Sequence, residues 1–330
     1  IIHILDTRSP SNFTHLAEKI NNDTKIKAVF IQHEFGLYGG DYGENLLYFL
    51  FSTNKPIIIT FHTVLPKPEP KRKSVIQTIS NMVEKITVMT NDSSKILQEE
   101  YEIPKEKISV IPHGTHPITC KSKLKIKENY ALENRLMLST FGLINANKSI
   151  ETALNAMPEI VQQFPNVLYL IIGQTHPCVL QNEGEQYRNF LEQKVKQLRL
   201  ENNVCFINRY LNNKELLEYL TMTDIYLFTS KDPHQAVSGT FSYAMSSACP
   251  IISTAIPHAK EMLTDDTGII IDFENSAQLA KATIRLLLDQ SLREQMGQNA
   301  FHKTRATLWE NVAIAYAHIL NDIVDAEKLL

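Results

Sequence analysis

The chain has 330 residues, enough for about two domains of roughly 100–200 residues each, and 43% of them are hydrophobic. Thirty-three basic and 36 acidic residues leave a formal net charge of −3, which excludes a global positive field for nucleic acid. The composition also excludes a disordered, collagen-like or coiled-coil protein. Glycine is scarce, with 11 residues against a usual frequency of roughly 7%, so each glycine is expected to mark a place where the backbone matters.

Short apolar runs alternate with segments of helical periodicity along almost the whole chain. The predicted strands are 1–5, 27–32, 56–61, 86–90, 107–111, 136–141, 167–173, 203–207, 225–229, 250–254 and 268–272. The predicted helices include 74–85, 92–101, 149–163, 185–199, 213–222, 275–288 and a last helix from Trp309 to about residue 327. Such uniformly apolar strands are typical of a parallel sheet covered on both faces, and the alternation predicts doubly wound α/β domains.

A break at residues 113–135, with a glycine, a proline and alternating lysines, predicts the connection between two such domains. We expect an N-terminal Rossmann-like domain over 1–118, a C-terminal Rossmann-like domain over 119–305, and a terminal helix over 306–330 that packs back toward the N-terminal domain. When two α/β domains face each other, the carboxyl ends of their sheets meet at a cleft, where ligands of open sheets bind.

The segment after the strand at 225–229 has the most informative local pattern. An irregular loop leads into a helix that begins near Ser238, Gly239 and Thr240. The first N–H groups of a helix have no partner within it and the helix dipole is positive there, so this end suits a phosphate. Ordinary N-capping by Ser238 explains the same residues, and the sequence leaves both interpretations open.

A glycine-rich loop follows the strand at 27–32. It holds His33 and Glu34 and then four of the 11 glycines, namely Gly36, Gly39, Gly40 and Gly43. Such a loop lets the main chain approach a ligand. The alternative is a flexible turn in which His33 and Glu34 are satisfied locally. No third residue is spaced to complete a metal site with them, so no metal is predicted.

The stretch 225–265 resembles the donor-site region of GT-B glycosyltransferases, in particular glycosyltransferase family 4. The family's strand ending in Pro-Ser, its helix with Glu-Ala-Met-Ala and its Gly-x-Pro-Val-Val segment correspond here to Thr229-Ser230, Tyr243-Ala244-Met245-Ser246 and Cys249-Pro250-Ile251-Ile252-Ser253-Thr254. Before the connection, Val110-Ile111-Pro112-His113-Gly114 is similar to the family's Val-Ile-Pro-Asn-Gly. Lys148, after Phe141-Gly142, matches the lysine of its Gly-Arg-x5-Lys turn. The resemblance covers most of the chain.

The resemblance implies a retaining, metal-independent glycosyltransferase. Such an enzyme moves a hexose from a nucleotide-diphosphate sugar, a GDP- or UDP-sugar, to a glycan or another hydroxyl acceptor, with no tightly bound cofactor. It implies donor-binding roles for Gly142, Lys148, Gly173, Thr175, His176, Arg209, Ser238, Gly239, Thr240 and Tyr243. It implies catalytic roles for His62, Lys148 and Gln235. The acceptor side is expected to include His33, Glu34, Gly39 and Gly40.

Several positions depart from the family pattern. The family's paired glutamates fall on Gln235 and Tyr243, and the arginine of its phosphate pair falls on Leu143, for which Arg209 is a candidate substitute. The family's opening strand and glycine loop do not occur after Ile1, so the N-terminal domain is expected to be truncated. Two other hypotheses therefore stay open: a sugar phosphorylase of GT-B type, and a catalytically degenerate binding module.

Location and partners follow from weaker signals. The four cysteines lie far apart, which indicates free thiols in a reducing compartment, and no apolar run approaches roughly 18 residues, so we expect a cytoplasmic protein. A basic tract, 67–73, precedes an amphipathic helix; we favour a solvated loop and leave peripheral contact with an anionic membrane as the alternative. The expected partners are a nucleotide sugar and a glycan acceptor, and not nucleic acid.

Overall fold

The computed structural model describes residues 4–116 and 122–327. Their helices are α1 (Pro10–Asn22), α2 (Leu46–Ser52), α3 (Pro70–Asn81), α4 (Asn91–Glu99), α5 (Lys123–Asn129), α6 (Ile150–Gln163), α7 (Pro177–Glu183), α8 (Gln186–Gln197), α9 (Asn213–Met222), α10 (Gly239–Ser246), α11 (Pro257–Met262), α12 (Ser276–Leu288), α13 (Gln290–Thr304) and α14 (Trp309–Glu327). Their strands are β1 (Val29–His33), β2 (Ile57–Phe61), β3 (Lys85–Val88), β4 (Ile108–Val110), β5 (Leu136–Phe141), β6 (Val167–Ile172), β7 (Val204–Ile207), β8 (Ile225–Phe228), β9 (Ile251–Thr254) and β10 (Gly268–Ile271).

The strands β1 to β10 confirm ten of the eleven predicted strands, with ends that differ by a few residues. The remaining prediction, 1–5, is only partly covered: residues 1–3 lie outside the described residues, and Ile4 and Leu5 are not in a strand. The first described element is α1 instead, which begins at Pro10. Proline suits the first turn of a helix because the N–H that it lacks would have no partner there.

The first sheet has the order β1-β2-β3-β4 within the described residues, and each neighbouring pair is parallel. Every residue of the inner strand β2 is buried. A strand buried on both faces needs helices above and below the sheet, and Phe13 of α1, Leu50 of α2 and Ile79 of α3 belong to its hydrophobic core. The apolar run at 56–61 is therefore explained by its central position.

The second sheet has the order β10-β9-β8-β5-β6-β7 in the described part of the chain, and all its neighbouring pairs are parallel. Counted from β5, this is the 3-2-1-4-5-6 order of the Rossmann fold. The strand order reverses between β5 and β8, and in such sheets ligands bind outside the carboxyl ends of the two strands at the reversal. The topology therefore predicts a ligand site beside the residues that follow Phe141 and Phe228.

The contacts divide the chain into two compact units. The first unit contains the chain up to His113, the short segment His234–Val237, and the chain from Trp309 onward. The second unit contains Gly114–Pro233 and Ser238–Leu308. Helix α14 thus groups with the four-stranded sheet, although it comes last in the sequence.

A buried ion cluster lies at the amino ends of β5 and β8. The Asp224 carboxylate, which is 7% exposed, is 2.6 Å from Lys123 Nζ and 2.7 Å from Lys127 Nζ, and both lysines belong to α5. The Met137 N–H donates to the same carboxylate at 2.7 Å. Burial alone would raise the pKa of Asp224, but the two lysines outweigh it and hold that pKa below its ordinary value. The cluster joins α5 to the two central strands.

Candidate functional site

The turn after β5 brings three of the predicted donor-site residues together. Gly142 follows the strand with φ of +123°, a conformation that favours glycine. A Cβ atom at this position would lie 3.0 Å from Lys148 Nζ and 3.0 Å from Thr240 Cγ2. The main chain of Gly142, the ammonium of Lys148 and the start of α10 are therefore in contact at the point where the strand order reverses.

Gly173 supports this turn from the neighbouring strand β6. Its φ is +131°, and a Cβ atom there would lie 2.1 Å from the Gly142 carbonyl oxygen. The two segments continue side by side beyond the strands, since the Ile144 N–H donates to the Gln174 carbonyl and the His176 N–H donates to the Ile144 carbonyl, both at 2.9 Å. Only glycine permits so close an approach, so the role of Gly173 is to hold the Gly142 turn.

The short 3₁₀ helix that ends at Lys148 is attached to the end of β8. The Lys231 N–H donates to the Asn147 carbonyl at 2.9 Å. The Thr229 hydroxyl donates to the Lys148 carbonyl at 2.8 Å. Ser149, directly after the lysine, has φ of +46° and is fully buried. These contacts position Lys148 between the two strands at the reversal.

Lys148 is a cation to which the described residues offer no anionic partner. Its side chain is partly buried, and burial lowers its pKa to about 8. Its Nζ lies 3.5 Å from the Phe141 carbonyl oxygen, and no carboxylate in the described part of the chain forms an ion pair with it. Taking a charge out of water without a counter-ion is unfavourable. The site is therefore suited to a ligand that carries negative charge.

The first turn of α10 supplies two N–H groups beside this lysine. The N-cap residue Ser238 accepts a bond from the Phe241 N–H at its Oγ (3.4 Å) and a bond from the Ser242 N–H at its carbonyl (3.1 Å). No hydrogen bond of the described residues uses the N–H of Gly239 or Thr240. The N-capping that the sequence leaves open as an alternative is thus present, and two donors are still free for an anion.

Tyr243 lies one turn further along α10. Its ring stacks on His116, with centroids 5.6 Å apart and planes at 4°, and lies 6.4 Å from the ring of Phe141. Since Phe141 directly precedes Gly142, Tyr243 borders the same region of the second unit. It offers an aromatic face and one hydroxyl where the family has a glutamate.

The other predicted donor residues have local partners. The Thr175 hydroxyl donates to Glu185, and His176 caps α7 by accepting the Cys178 N–H at its Nδ1 (3.2 Å). Arg209 forms an ion pair with Glu215 after β7, which is the edge strand two places from β5. The structure does not bring Arg209 to Lys148.

In the first unit, His33 lies at the end of β1 and is 1% exposed. Burial lowers its pKa to about 4. Its Nε2 has no hydrogen-bond partner among the residues that the structure describes, and a Cβ atom at Gly43 would lie 3.0 Å from it. The ring stacks on Tyr38 and meets Phe61 edge to face. His33 is therefore a neutral, enclosed histidine beneath the glycine-rich loop.

Glu34 and His62 follow the neighbouring strands β1 and β2. Burial raises the pKa of Glu34, and burial lowers the pKa of His62. The ring Nε2 of His62 lies 2.7 Å from Gln32 Oε1. Both groups are thus biased toward their neutral forms, which suits hydrogen bonding to uncharged hydroxyls.

The remaining predicted residues of the first unit are on loops. Gly39 and Gly40 have φ of +70° and +64°, and a Cβ atom at Gly39 would lie 2.7 Å from the Thr7 carbonyl oxygen. Gln235 belongs to the segment that groups with the first unit, and its Nε2 donates to the Val237 carbonyl at 3.4 Å. Within 4–116 and 122–327, no group of three or more His, Cys, Asp or Glu residues is arranged to hold a metal ion.

The basic tract is largely neutralised by neighbouring acids. Lys71 pairs with Asp41 (2.5 Å) and Glu44 (3.3 Å), and Lys73 pairs with Glu102 at 2.7 Å. Residues 70–73 are the first turn of α3, and not the loop that the sequence suggests. None of the helices in the described residues is both long and apolar enough to cross a membrane. These ion pairs leave the tract little free charge for an anionic surface.

Two protein-family models match the chain. The model "Glycosyl transferases group 1" matches residues 122–303, more than half of the chain, and the model "Glycosyltransferase Family 4" matches residues 7–117. The chain belongs to the group 1 glycosyl transferases. The resemblance drawn from residues 225–265 and from the Lys148 turn is thereby confirmed.

This glycosyl transferase is similar to curated proteins over only part of their lengths. It is 23% identical to spore coat protein SA of Bacillus subtilis (strain 168) over 58% of this chain and 50% of that protein. It is 23% identical to N-acetyl-alpha-D-glucosaminyl L-malate synthase of Bacillus anthracis over 74% of this chain and 62% of that protein. The chain thus spans between half and two thirds of the lengths of these relatives.

A solved structure supports the fold assignment. Anabaena HepE in complex with UDP matches with a TM-score of 0.77 and 16% identity, covering 94% of this chain and 82% of that chain. At such an identity the likeness shows the fold alone. The glycosyl transferase has the GT-B type of fold, with two parallel-sheet α/β domains, and the predicted fold class is confirmed.

Proposed function

We propose that the protein is a retaining glycosyltransferase that moves a hexose from a nucleotide-diphosphate sugar to a hydroxyl acceptor. The observation that carries the proposal is Lys148: a partly buried cation for which residues 4–116 and 122–327 supply no counter-ion, in contact with the Gly142 turn and the start of α10. The donor diphosphate would bind between Lys148 and the N–H groups of Gly239 and Thr240. UDP is the favoured nucleotide because the similar HepE structure contains it.

The chemistry of the reaction needs such a site. As the glycosidic bond to the donor breaks, negative charge develops on the diphosphate that leaves. Positioned donors aimed at developing charge are among the largest contributions to catalysis, and holding donor and acceptor together adds to them. An ammonium and two main-chain N–H groups supply three such donors here. In the retaining course the acceptor hydroxyl enters on the face of the leaving diphosphate and gives its proton to an oxygen of that diphosphate as the new glycosidic bond forms. No pair of catalytic carboxylates is therefore required, in contrast to a glycoside hydrolase.

The other predicted residues receive roles in the same proposal. Gln235 and Tyr243 replace the glutamates of the family, with Gln235 hydrogen-bonding the donor sugar and Tyr243 the ribose. For the first unit the proposal keeps the roles that the family resemblance implies: contact with the donor sugar for His62, and the acceptor side for His33, Glu34, Gly39 and Gly40. Arg209 has no role in the proposed reaction because its guanidinium already forms an ion pair with Glu215.

Binding of nucleoside diphosphates tests the donor site directly. At a concentration near 100 times Kd, UDP or GDP is expected to stabilise the protein by about 2.7 kcal/mol, which raises Tm by about 5–11 °C. Lys148→Ala should abolish this shift. Lys281→Ala is the matched control, since Lys281 is an exposed lysine on α12 of the same unit, and it should respond like the wild type.

The same thermal-shift panel separates the competing hypotheses. A response to inorganic phosphate or a sugar phosphate, with none to nucleotides, would support a phosphorylase. Nucleotide binding without transfer to any of a broad set of hydroxyl acceptors would support the degenerate binding module. Wild-type nucleotide affinity in Lys148→Ala would contradict the donor site as described.

The pH dependence of binding follows from the lowered pKa of Lys148. At pH 7 the ammonium is mostly charged, so UDP affinity should fall by no more than about twofold between pH 7 and 8, where the terminal phosphate of UDP (second pKa about 6) is ionised. Above pH 8 the free lysine loses its proton, and the affinity should fall by up to about tenfold for each pH unit. Isothermal titration calorimetry from pH 7 to 10 measures this slope. Lys148→Arg should remove the slope, because a guanidinium keeps its charge.

A further inference from the structure

We propose that His258 is a positioning residue for the donor site. By accepting the Ser238 N–H, it orients the N-cap of α10 so that the N–H groups of Gly239 and Thr240 stay directed at the diphosphate. The inference rests on the proposed function and extends it to a residue on a different helix, α11, which has no contact with the ligand in this proposal.

The geometry around His258 is specific. The Ser238 N–H donates to His258 Nδ1 at 3.1 Å, and the histidine is 4% exposed. Its ring packs against Phe241, with centroids 4.8 Å apart, and Phe241 is itself fully buried in the first turn of α10. The histidine thus contacts the turn twice, once through a hydrogen bond and once through ring packing.

All the polar groups of Ser238 are engaged as a result. Its N–H is held by His258, its Oγ accepts the Phe241 N–H and lies 3.0 Å from Thr240 Oγ1, and its carbonyl accepts the Ser242 N–H. A serine hydroxyl can turn to several partners, but a residue held at its N–H and at its carbonyl has little freedom left. The Ser238 hydroxyl therefore accepts the third N–H of the helix, that of Phe241, and leaves the first two, those of Gly239 and Thr240, to a ligand.

The hydrogen bond also defines the proton position on the imidazole. Nδ1 accepts only when it carries no proton, so the ring proton of neutral His258 lies on Nε2. An asparagine at this position can present its Oδ1 where Nδ1 stands, while a leucine of similar size cannot accept at all. This gives a matched pair of variants that both lose the ring and differ in the acceptor.

The first readout does not need a ligand. Amide hydrogen exchange of Ser238 in the unliganded protein should remain slow in the wild type and in His258→Asn, and become fast in His258→Leu, because only the last variant lacks the acceptor. Equal exchange in the two variants would overturn the inference. Leucine keeps apolar contact with Phe241 and asparagine does not, so His258→Asn is expected to have the lower Tm of the two although its Ser238 amide stays protected.

The second readout is UDP affinity by calorimetry. We expect His258→Leu to lose about tenfold in affinity, and His258→Asn to stay within about threefold of the wild type. In turnover, His258→Leu should raise KM for the donor and leave KM for the acceptor unchanged. Equal UDP affinities in the two variants would also overturn the inference. If the wild type binds no nucleoside diphosphate, the proposed function is overturned instead. The exchange measurement needs no ligand, so it tests the role of His258 separately from the proposed function.

Discussion

Replacing Lys148 by alanine is expected to lower the rate of sugar transfer by about 10²–10³-fold, the usual effect of removing one positioned donor from developing negative charge. The loss should appear in kcat as well as in kcat/KM, because the ammonium stabilises the leaving diphosphate more strongly as its charge grows. A coupled assay for release of nucleoside diphosphate measures it, with Lys281→Ala as the variant that should keep full activity.

The same substitution is not expected to destabilise the fold. Burial lowers the pKa of Lys148 below the 10.5 of an unfolded chain, so at pH 7 the folded state disfavours the charge that the unfolded state accepts. Removing the ammonium removes this unfavourable contribution to the free energy of folding. In the wild type the same contribution decreases as the pH rises from 8 toward 10.5. A Tm of Lys148→Ala at or above that of the wild type, together with the loss of turnover, would distinguish a functional lysine from a structural one. Wild-type turnover in this variant would contradict the assignment.

Replacing Asp224 by asparagine should have the largest effect on stability. The substitution leaves Lys127, which is 9% exposed, without its counter-ion inside the second unit. Breaking a buried ion pair by removing one partner costs about 3–5 kcal/mol, which corresponds to a Tm lower by about 6–20 °C. Differential scanning calorimetry at pH 7 measures the change.

The pH dependence of the Asp224 effect has a definite sign. The two lysines hold the pKa of Asp224 below 3.8, so the stability that its charge confers is fully present above pH 3.8 and is lost as the pH falls through the folded value. The difference between wild type and variant should therefore persist from pH 7 to 5. Asp265→Asn, at an exposed aspartate of the same unit, is the control and should change the free energy of unfolding by less than about 0.5 kcal/mol. A similar Tm for Asp224→Asn and the wild type would show that the cluster contributes no net stability.

Inner strands could be predicted because burial on both faces makes them uniformly apolar, as in β2, where all five residues are buried. The same uniformly apolar character explains why α2 is not among the predicted helices. Its sequence, Leu46 to Ser52, begins with six apolar residues, and so short an apolar run has no periodicity that separates a helix from a strand. Helix α1 is not among the predicted helices for another reason: Ser9 and Pro10 at its start, and Ser11 and Asn12 after them, are residue types that also favour turns.

The site residues that could be predicted are those in sequence motifs that specify a main-chain turn. Gly142, Lys148 and Ser238 belong to turns whose spacing along the sequence sets their geometry, and the structure brings all three to the ends of β5 and β8. The charge of Arg209 makes it a candidate in the sequence, but the sequence does not show that Glu215 forms an ion pair with it. His258 could not be found in this way, since its partner is a backbone N–H, a group that almost every residue has.

The reversal of strand order has a consequence for how the protein is made. Leu138 of β5 pairs with Ile225 of β8, so the two halves of the proposed donor site are synthesised far apart in time. When Lys148 leaves the ribosome, neither β8, which anchors its turn, nor α10 yet exists. Until β8 is added, the side of β5 that does not pair with β6 is an open strand edge, which is a surface for wrong pairing. The proposed donor site is thus completed late in synthesis, and a chain that stops before Gly239 contains Lys148 without the N–H groups of α10.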